Sequence, residues 1–305
     1  MHRRAFLFAP LAGALFAETN RIDASRLSAI TDEIGMSPLE AIAFARHYEL
    51  KWVELRSVPG RGPEYAFLPD ADVKAAAQSF REAGLRVSFL NTSLLKFPWP
   101  DTEPVRPRRG SAADIETQRQ EEARRFARRM DDLRLAIRAA HLFDVRKIRV
   151  FCGMRVAEPR RLYPRIADVL GEMSVVAERE GVKLLIENEG ACNVGTSAEL
   201  AEILRLIPSP AVGANWDPHN DLGHRQIPFP DGYRLLPKER LGNVQVKGKS
   251  LLDPANRLDW RAIFAALERD GYQGQVGLET HYFDGSLIEK SHLSMQELLR
   301  IVKES

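Results

Sequence analysis

The chain has 305 residues, 44% hydrophobic and 28% charged, with 44 Lys and Arg against 42 Asp and Glu. This is the composition of a folded globular enzyme, long enough for one large α/β barrel or two smaller domains, and its near-neutral balance gives no global basicity for nucleic acid. Cys152 and Cys192 stand outside any CxxC or Cys/His spacing, which argues against a thiolate zinc site and leaves their pairing open.

The N-terminus reads separately from the rest. His2-Arg3-Arg4, an apolar stretch to Phe16 and then Ala17-Glu18-Thr19 have the layout of a secretory signal, too short to span a bilayer stably. Arg3-Arg4-Ala5-Phe6-Leu7 also resembles the twin-arginine export signal, which implies a periplasmic protein. Residues 1–20 are therefore expected to be a removable signal, and residues 21–305 a single catalytic domain.

From Leu27 onward, strand and helix patterns alternate. Leu27-Ser28-Ala29-Ile30 is a first strand, followed by Ser37-Pro38, an N-cap with proline at the first helical position. Trp52-Val53-Glu54-Leu55 is the second strand. A helix from Asp70 to Ala83 stops at Gly84, and Leu85 to Asn91 forms the third strand. Phe97 to Gly110 is an irregular, proline- and arginine-rich loop. A long helix is predicted from Ala112 to Leu142, with Phe126, Met130, Leu133 and Ile137 on one stripe. Its arginines alternate with acids, so the run reads as a salt-bridged outer face, not a nucleic-acid patch. Lys147 to Phe151 is the fourth strand, and Tyr163 to Glu180 the helix after it.

Four further strands end in oxygen-bearing side chains: Leu184-Leu185-Ile186-Glu187, Val212 to Asp217, Val244-Gln245-Val246-Lys247 and Val276-Gly277-Leu278-Glu279. They recur roughly every 30 residues, about one strand-plus-helix unit. Helices at Ser197–Leu206, Trp260–Arg269 and Ser291–Val302 fill the remainder, with a proline-rich loop from Asp217 to Pro237. Eight strands with crossovers and no GxGxxG or GxxxxGK[ST] predict an α/β fold, a (β/α)8 TIM barrel of one domain. In such a barrel Glu187, Asp217, Gln245 and Glu279 open onto one face. A carboxylate closing a buried strand needs compensation. Oxygen donors of this kind suit a hard divalent cation, Mn2+ or Mg2+ by preference, with Zn2+ or Co2+ as alternatives.

These residues resemble the sugar phosphate isomerase/epimerase superfamily of xylose isomerase-like barrels, which also includes apurinic endonucleases. The resemblance rests on Val53-Glu54-Leu55, Leu185-Ile186-Glu187-Asn188, Trp216-Asp217-Pro218, and Leu258-Asp259-Trp260 through Leu278-Glu279. It implies metal ligands at Glu187, Asp217, Gln245 and Glu279, with glutamine in place of the usual histidine at 245. It also implies an enediolate mechanism with Glu187 and Glu279 as the acid/base pair. Glu54, Asn91, His219, Lys247 and His281 are candidate substrate contacts, Glu54 alternatively a partner of Arg56. Phe97, Trp99 and Phe229 are candidates for an apolar wall against a sugar, with packing as the plainer role. The expected activity is isomerisation or epimerisation of a small sugar, unphosphorylated for want of a glycine-rich phosphate cradle. A keto-sugar lyase, hydratase or deglycosidase using the same chemistry is the alternative, and an endonuclease rich in histidine ligands the remoter one. No nucleic-acid partner or membrane span is expected; a homo-oligomer remains open.

Overall fold

The computed structural model describes residues 21–304. The export signal proposed for residues 1–20 thus lies outside the described residues. Eight parallel strands, β1 (Leu27–Ala29), β2 (Trp52–Leu55), β3 (Arg86–Leu90), β4 (Lys147–Val150), β5 (Lys183–Glu187), β6 (Val212–Trp216), β7 (Leu241–Lys247) and β8 (Val276–Glu279), form one sheet in the order β1-β8-β7-β6-β5-β4-β3-β2. A single parallel bridge between Ile30 and Glu54 brings its two edges together. The result is a near-closed (β/α)8 barrel in a single domain.

Strand alternation divides the molecule into two layers. Outward-facing residues such as Val53, Ile148, Ile186, Ala214, Val246 and Leu278 are fully buried under the surrounding helices. Each large aliphatic side chain so buried contributes roughly 1.5–3 kcal/mol. Interiors of this fold are usually packed with branched apolar residues. Here the inward positions instead include Ser28, Glu54, Arg149, Asn215, Asn243 and Gln245, all at most 5% exposed. The polar interior is the feature that positions the site.

Local signals explain the helix ends. Ser37 Oγ accepts from the Glu40 N–H at 3.3 Å, with Pro38 opening the helix Pro38–His47. Gly84 and Gly181 stop their helices at φ of +75° and +65°, where a Cβ would be strained. The long helix expected from Ala112 to Leu142 is two, Ala112–Ala127 and Arg129–Leu142, separated by Arg128 at φ −86°, ψ 6°. The first piece buries none of its residues, whereas Leu133, Ala136 and Ile137 anchor the second. A change of packing partner thus coincides with the break.

Candidate metal centre

Glu187 closes β5, Asp217 follows β6 by one residue, and Glu279 closes β8. All three are at most 3% exposed. One oxygen from each lies within 4.8 Å of the others. Two metal–oxygen distances of roughly 2.0–2.6 Å span such a gap.

Each carboxylate is fixed by its own donors. Glu187 Oε2 accepts from Arg149 Nη1 and Asn215 Nδ2, both at 2.9 Å. Asp217 Oδ1 accepts the His219 N–H at 3.0 Å, capping the short helix Pro218–Leu222. Lys247 Nζ donates to Asp217 Oδ2 at 2.5 Å and to Glu279 Oε2 at 3.0 Å. Arg56 Nη1 reaches Glu279 Oε1 at 3.2 Å and also pairs with Asp32 and Glu33.

The charges at the mouth do not cancel. With every carboxylate ionised, Asp32, Glu33, Glu187, Glu189, Asp217 and Glu279 face Arg56, Lys96, Arg149 and Lys247, leaving two negative charges unmatched. Burial pushes Asp217 up to about 7, the Lys247 ammonium opposing it and the neighbouring carboxylates adding to it. Burial also works against ionisation of Glu279, but Lys247, with Arg56 and Arg149, holds it well below the usual carboxylate range. Lys247 itself is raised well above an ordinary lysine; burial is outweighed by Asp217 and Glu279.

Gln245 adds a neutral oxygen. Its side chain is fully buried, Nε2 donates to Glu54 Oε2 at 2.6 Å, and Oε1 has no hydrogen-bond partner. Hard oxygen donors, an excess of carboxylates over cations and an orphaned amide oxygen together fit a divalent cation. Glu187, Asp217 and Glu279 are the residues that would hold it, with Gln245 as the fourth. A second group, Glu33, Glu279 and His281, also clusters. There the Arg56 guanidinium already pairs with both glutamates.

The remaining expected residues divide. His219 Nε2 is buried without a partner, and burial, then Lys247, lowers the ring to about 4, so it is neutral. His281 Nδ1 lies 3.5 Å from Glu279 Oε1. Glu54 does not meet Arg56 or the open mouth; with Asn91 it sits inside the barrel, joined to it at 2.8 Å. Glu54, expected at a substrate hydroxyl, is held in this structure by four protein donors, Ser28, Asn91, Asn243 and Gln245. Trp99 and Phe97 are packed in the core, Trp99 against Phe126, and Phe229 lies tilted against Tyr233. They form no wall at the cluster.

Sequence reasoning missed Arg149, Asn215 and the Lys96–Glu189 ion pair at 2.8 Å. Lys96 and Arg149 lie 4.5 and 4.9 Å from the Phe151 ring centroid. Arg149 had a signal: in Lys147-Ile148-Arg149-Val150 the charges alternate with apolar residues and must share the inner face.

Residues 42–304 match the family model described as xylose isomerase-like TIM barrel. No curated protein matches the chain in sequence. Among solved structures, a xylose isomerase-like TIM-barrel protein from Mycobacterium smegmatis in complex with magnesium is 16% identical with a TM-score of 0.63, over 92% of this chain and 99% of that one. The IolI protein with a bound zinc atom is 15% identical with a TM-score of 0.67, over 92% and 98%. The 3-keto-D-glucoside 4-epimerase of E. coli is 15% identical with a TM-score of 0.64, over 92% and 99%. At these identities the likeness is one of fold.

Proposed function

The chain belongs to the xylose isomerase-like TIM-barrel family, and on that footing we propose that it is a metal-dependent isomerase or epimerase of a small, unphosphorylated keto- or aldo-sugar. The observation that carries this reading is the convergence of Glu187, Asp217 and Glu279, buried, at the ends of three strands. A divalent cation held there, Mn2+ or Mg2+ by its donor set, would supply Lewis acidity to the oxygens of an α-hydroxy carbonyl and acidify the C–H between them.

The protein's own groups do the rest. Glu187 and Glu279 reach the cluster from β5 and β8 and form the acid/base pair, one taking the carbon-bound proton and the other returning a proton. Arg149 and Asn215 hold Glu187 through Oε2 alone, which orients it without touching Oε1. Lys247 keeps Asp217 and Glu279 together. Return of the proton to the opposite face gives an epimer; return to the neighbouring carbon gives an aldose–ketose isomer. The pairing of the loop cation Lys96 with Glu189 supports an uncharged substrate.

The test is NMR of keto- and aldo-hexoses and pentoses in deuterated water, with metal-stripped protein and with Mn2+ or Mg2+ restored. Metal-dependent deuterium incorporation beside the carbonyl, with no atoms lost, is expected. Loss of water or of an aglycone would replace the reading with the lyase alternative, and absence of any exchange would end it. We also propose export through residues 1–20; recovery of the full chain in the cytoplasm after fractionation would refute that.

A further inference from the structure

We propose that Glu54 is a positioning residue, gripping the amino end of Gln245 from within the barrel so that the amide oxygen faces the cation site. This rests on the metal-dependent reading above and explains how a glutamine serves at the strand-seven position.

Glu54 is wholly enclosed, and four side-chain donors converge on it. Asn91 Nδ2 and Gln245 Nε2 donate to Oε2 at 2.8 and 2.6 Å; Ser28 Oγ and Asn243 Nδ2 donate to Oε1 at 3.0 and 3.2 Å. A carboxylate offers about four lone-pair sites and no donor, so these contacts satisfy it as an anion. The two ends of a glutamine amide are nearly equal in shape, and which end points where is decided by its partners. Beside an acceptor-only group the amino end must turn inward. Asn91 and Asn243 obey the same rule, and the carbonyl oxygens of all three amides are left unpaired.

For Gln245, the direction of that free oxygen follows from register. Trp216 pairs with Val244, so the next residues, Asp217 and Gln245, lie side by side. Gln245 and Lys247 share the inner face of β7, and Lys247 touches both Asp217 and Glu279. Gln245 Oε1 therefore borders the carboxylate cluster. Space for this arrangement comes from Gly277, Gln245's neighbour on β8, where a Cβ would stand 1.9 Å from Glu54 Oε1. A negative group on the N–H side of an amide also makes its oxygen a better donor to a cation, the usual service of a carboxylate behind a metal ligand.

The experiment is calorimetric titration of Mn2+ into metal-stripped full chain, for the unmodified protein, Glu54→Gln, Gln245→Ala and the double variant. Glu54→Gln is expected to weaken Mn2+ binding 10- to 100-fold. Gln245→Ala should weaken it comparably, and the double variant no further than Gln245→Ala alone. Unchanged affinity in Glu54→Gln would overturn the proposal, as would losses that multiply in the double variant. Should Glu54→Gln fail to fold, Glu54→Asp keeps the charge but withdraws it from Gln245, and the same loss is expected. Absence of Mn2+ binding in the unmodified protein would sink the functional reading too, so the two failures are distinguishable.

Discussion

The mouth of the barrel and the layer directly beneath it solve the burial of charge in opposite ways. At the mouth, Glu187, Asp217 and Glu279 meet full charges, Arg149, Lys247 and Arg56. One layer down, Glu54 is surrounded by a hydroxyl and three amides and touches no cation. Burial accordingly raises Glu54 despite its four donors, while Glu279 is held well below the usual range. Ion pairs can be rearranged when a cation enters; a ring of oriented dipoles is fixed at folding. The contrast suits a site whose upper layer does the chemistry and whose lower layer holds a ligand still.

Substitutions in the upper layer are expected to have the largest effects. Glu187→Gln keeps the volume and the Asn215 contact but removes a proton-accepting carboxylate, and activity in the exchange assay should fall at least about 1,000-fold, as expected when general base and ligand are lost together. Near-normal turnover would separate Glu187 from the chemistry. Lys247→Met strands Asp217 and Glu279 without their shared ammonium. Removing one member of a buried pair costs about 3–5 kcal/mol. In this site the loss should be largely recovered by Mn2+, which binds the folded form and supplies the missing charge. Denaturant unfolding with and without Mn2+ checks this; equal destabilisation in both would show that no cation enters the cluster.

The lower layer should respond sterically. Gly277→Ala places a methyl carbon 1.9 Å from Glu54 Oε1. Overpacking of this kind costs about 1–3 kcal/mol. Glu54→Ala should relieve it, so the two substitutions together destabilise less than their sum. Strict additivity in thermal melts would mean that Glu54 does not fill the space Gly277 leaves.

The upper layer was the more legible in sequence, for a physical reason. Glu187, Asp217 and Glu279 end apolar runs, and strand periodicity carries each to the same rim whatever its neighbours are. The boundaries of β2 and β8 and of the helices Ser197–Leu206 and Trp260–Arg269 match their predicted spans because turn residues and patterning agree there. The lower layer was not legible, because Glu54 meets Gln245 across 191 positions of chain. No local pattern encodes which inward residues share a level; that depends on the stagger of the closed barrel. Arg56, two residues on from Glu54, was for the same reason the wrong partner to expect: it lies past the end of β2 and meets Asp32, Glu33 and Glu279 at the mouth.

The smallest effect lies lower still. Lys147, inward on β4, donates to the carbonyl of Gly242 at 3.2 Å and to Gln275 Oε1 at 3.0 Å, neither of them charged. Burial pulls it down to about 8, with the charge of Glu54 opposing. In the unfolded chain the same lysine keeps its proton to about 10.5. Between these values the unfolded state binds more protons, so this residue makes the fold more stable as pH rises from about 8 toward 10.5. Below pH 8 the folded barrel carries the buried ammonium, and the contribution is at its most unfavourable. Lys147→Met abolishes the dependence. The difference in unfolding free energy between the native chain and this variant should therefore move toward the native chain by about 2.5 kcal/mol across that window. Denaturant titrations at several pH values would show it. A flat difference would mean that Lys147 keeps its ordinary affinity for the proton, and that the lower barrel is wetter than its amide-lined middle.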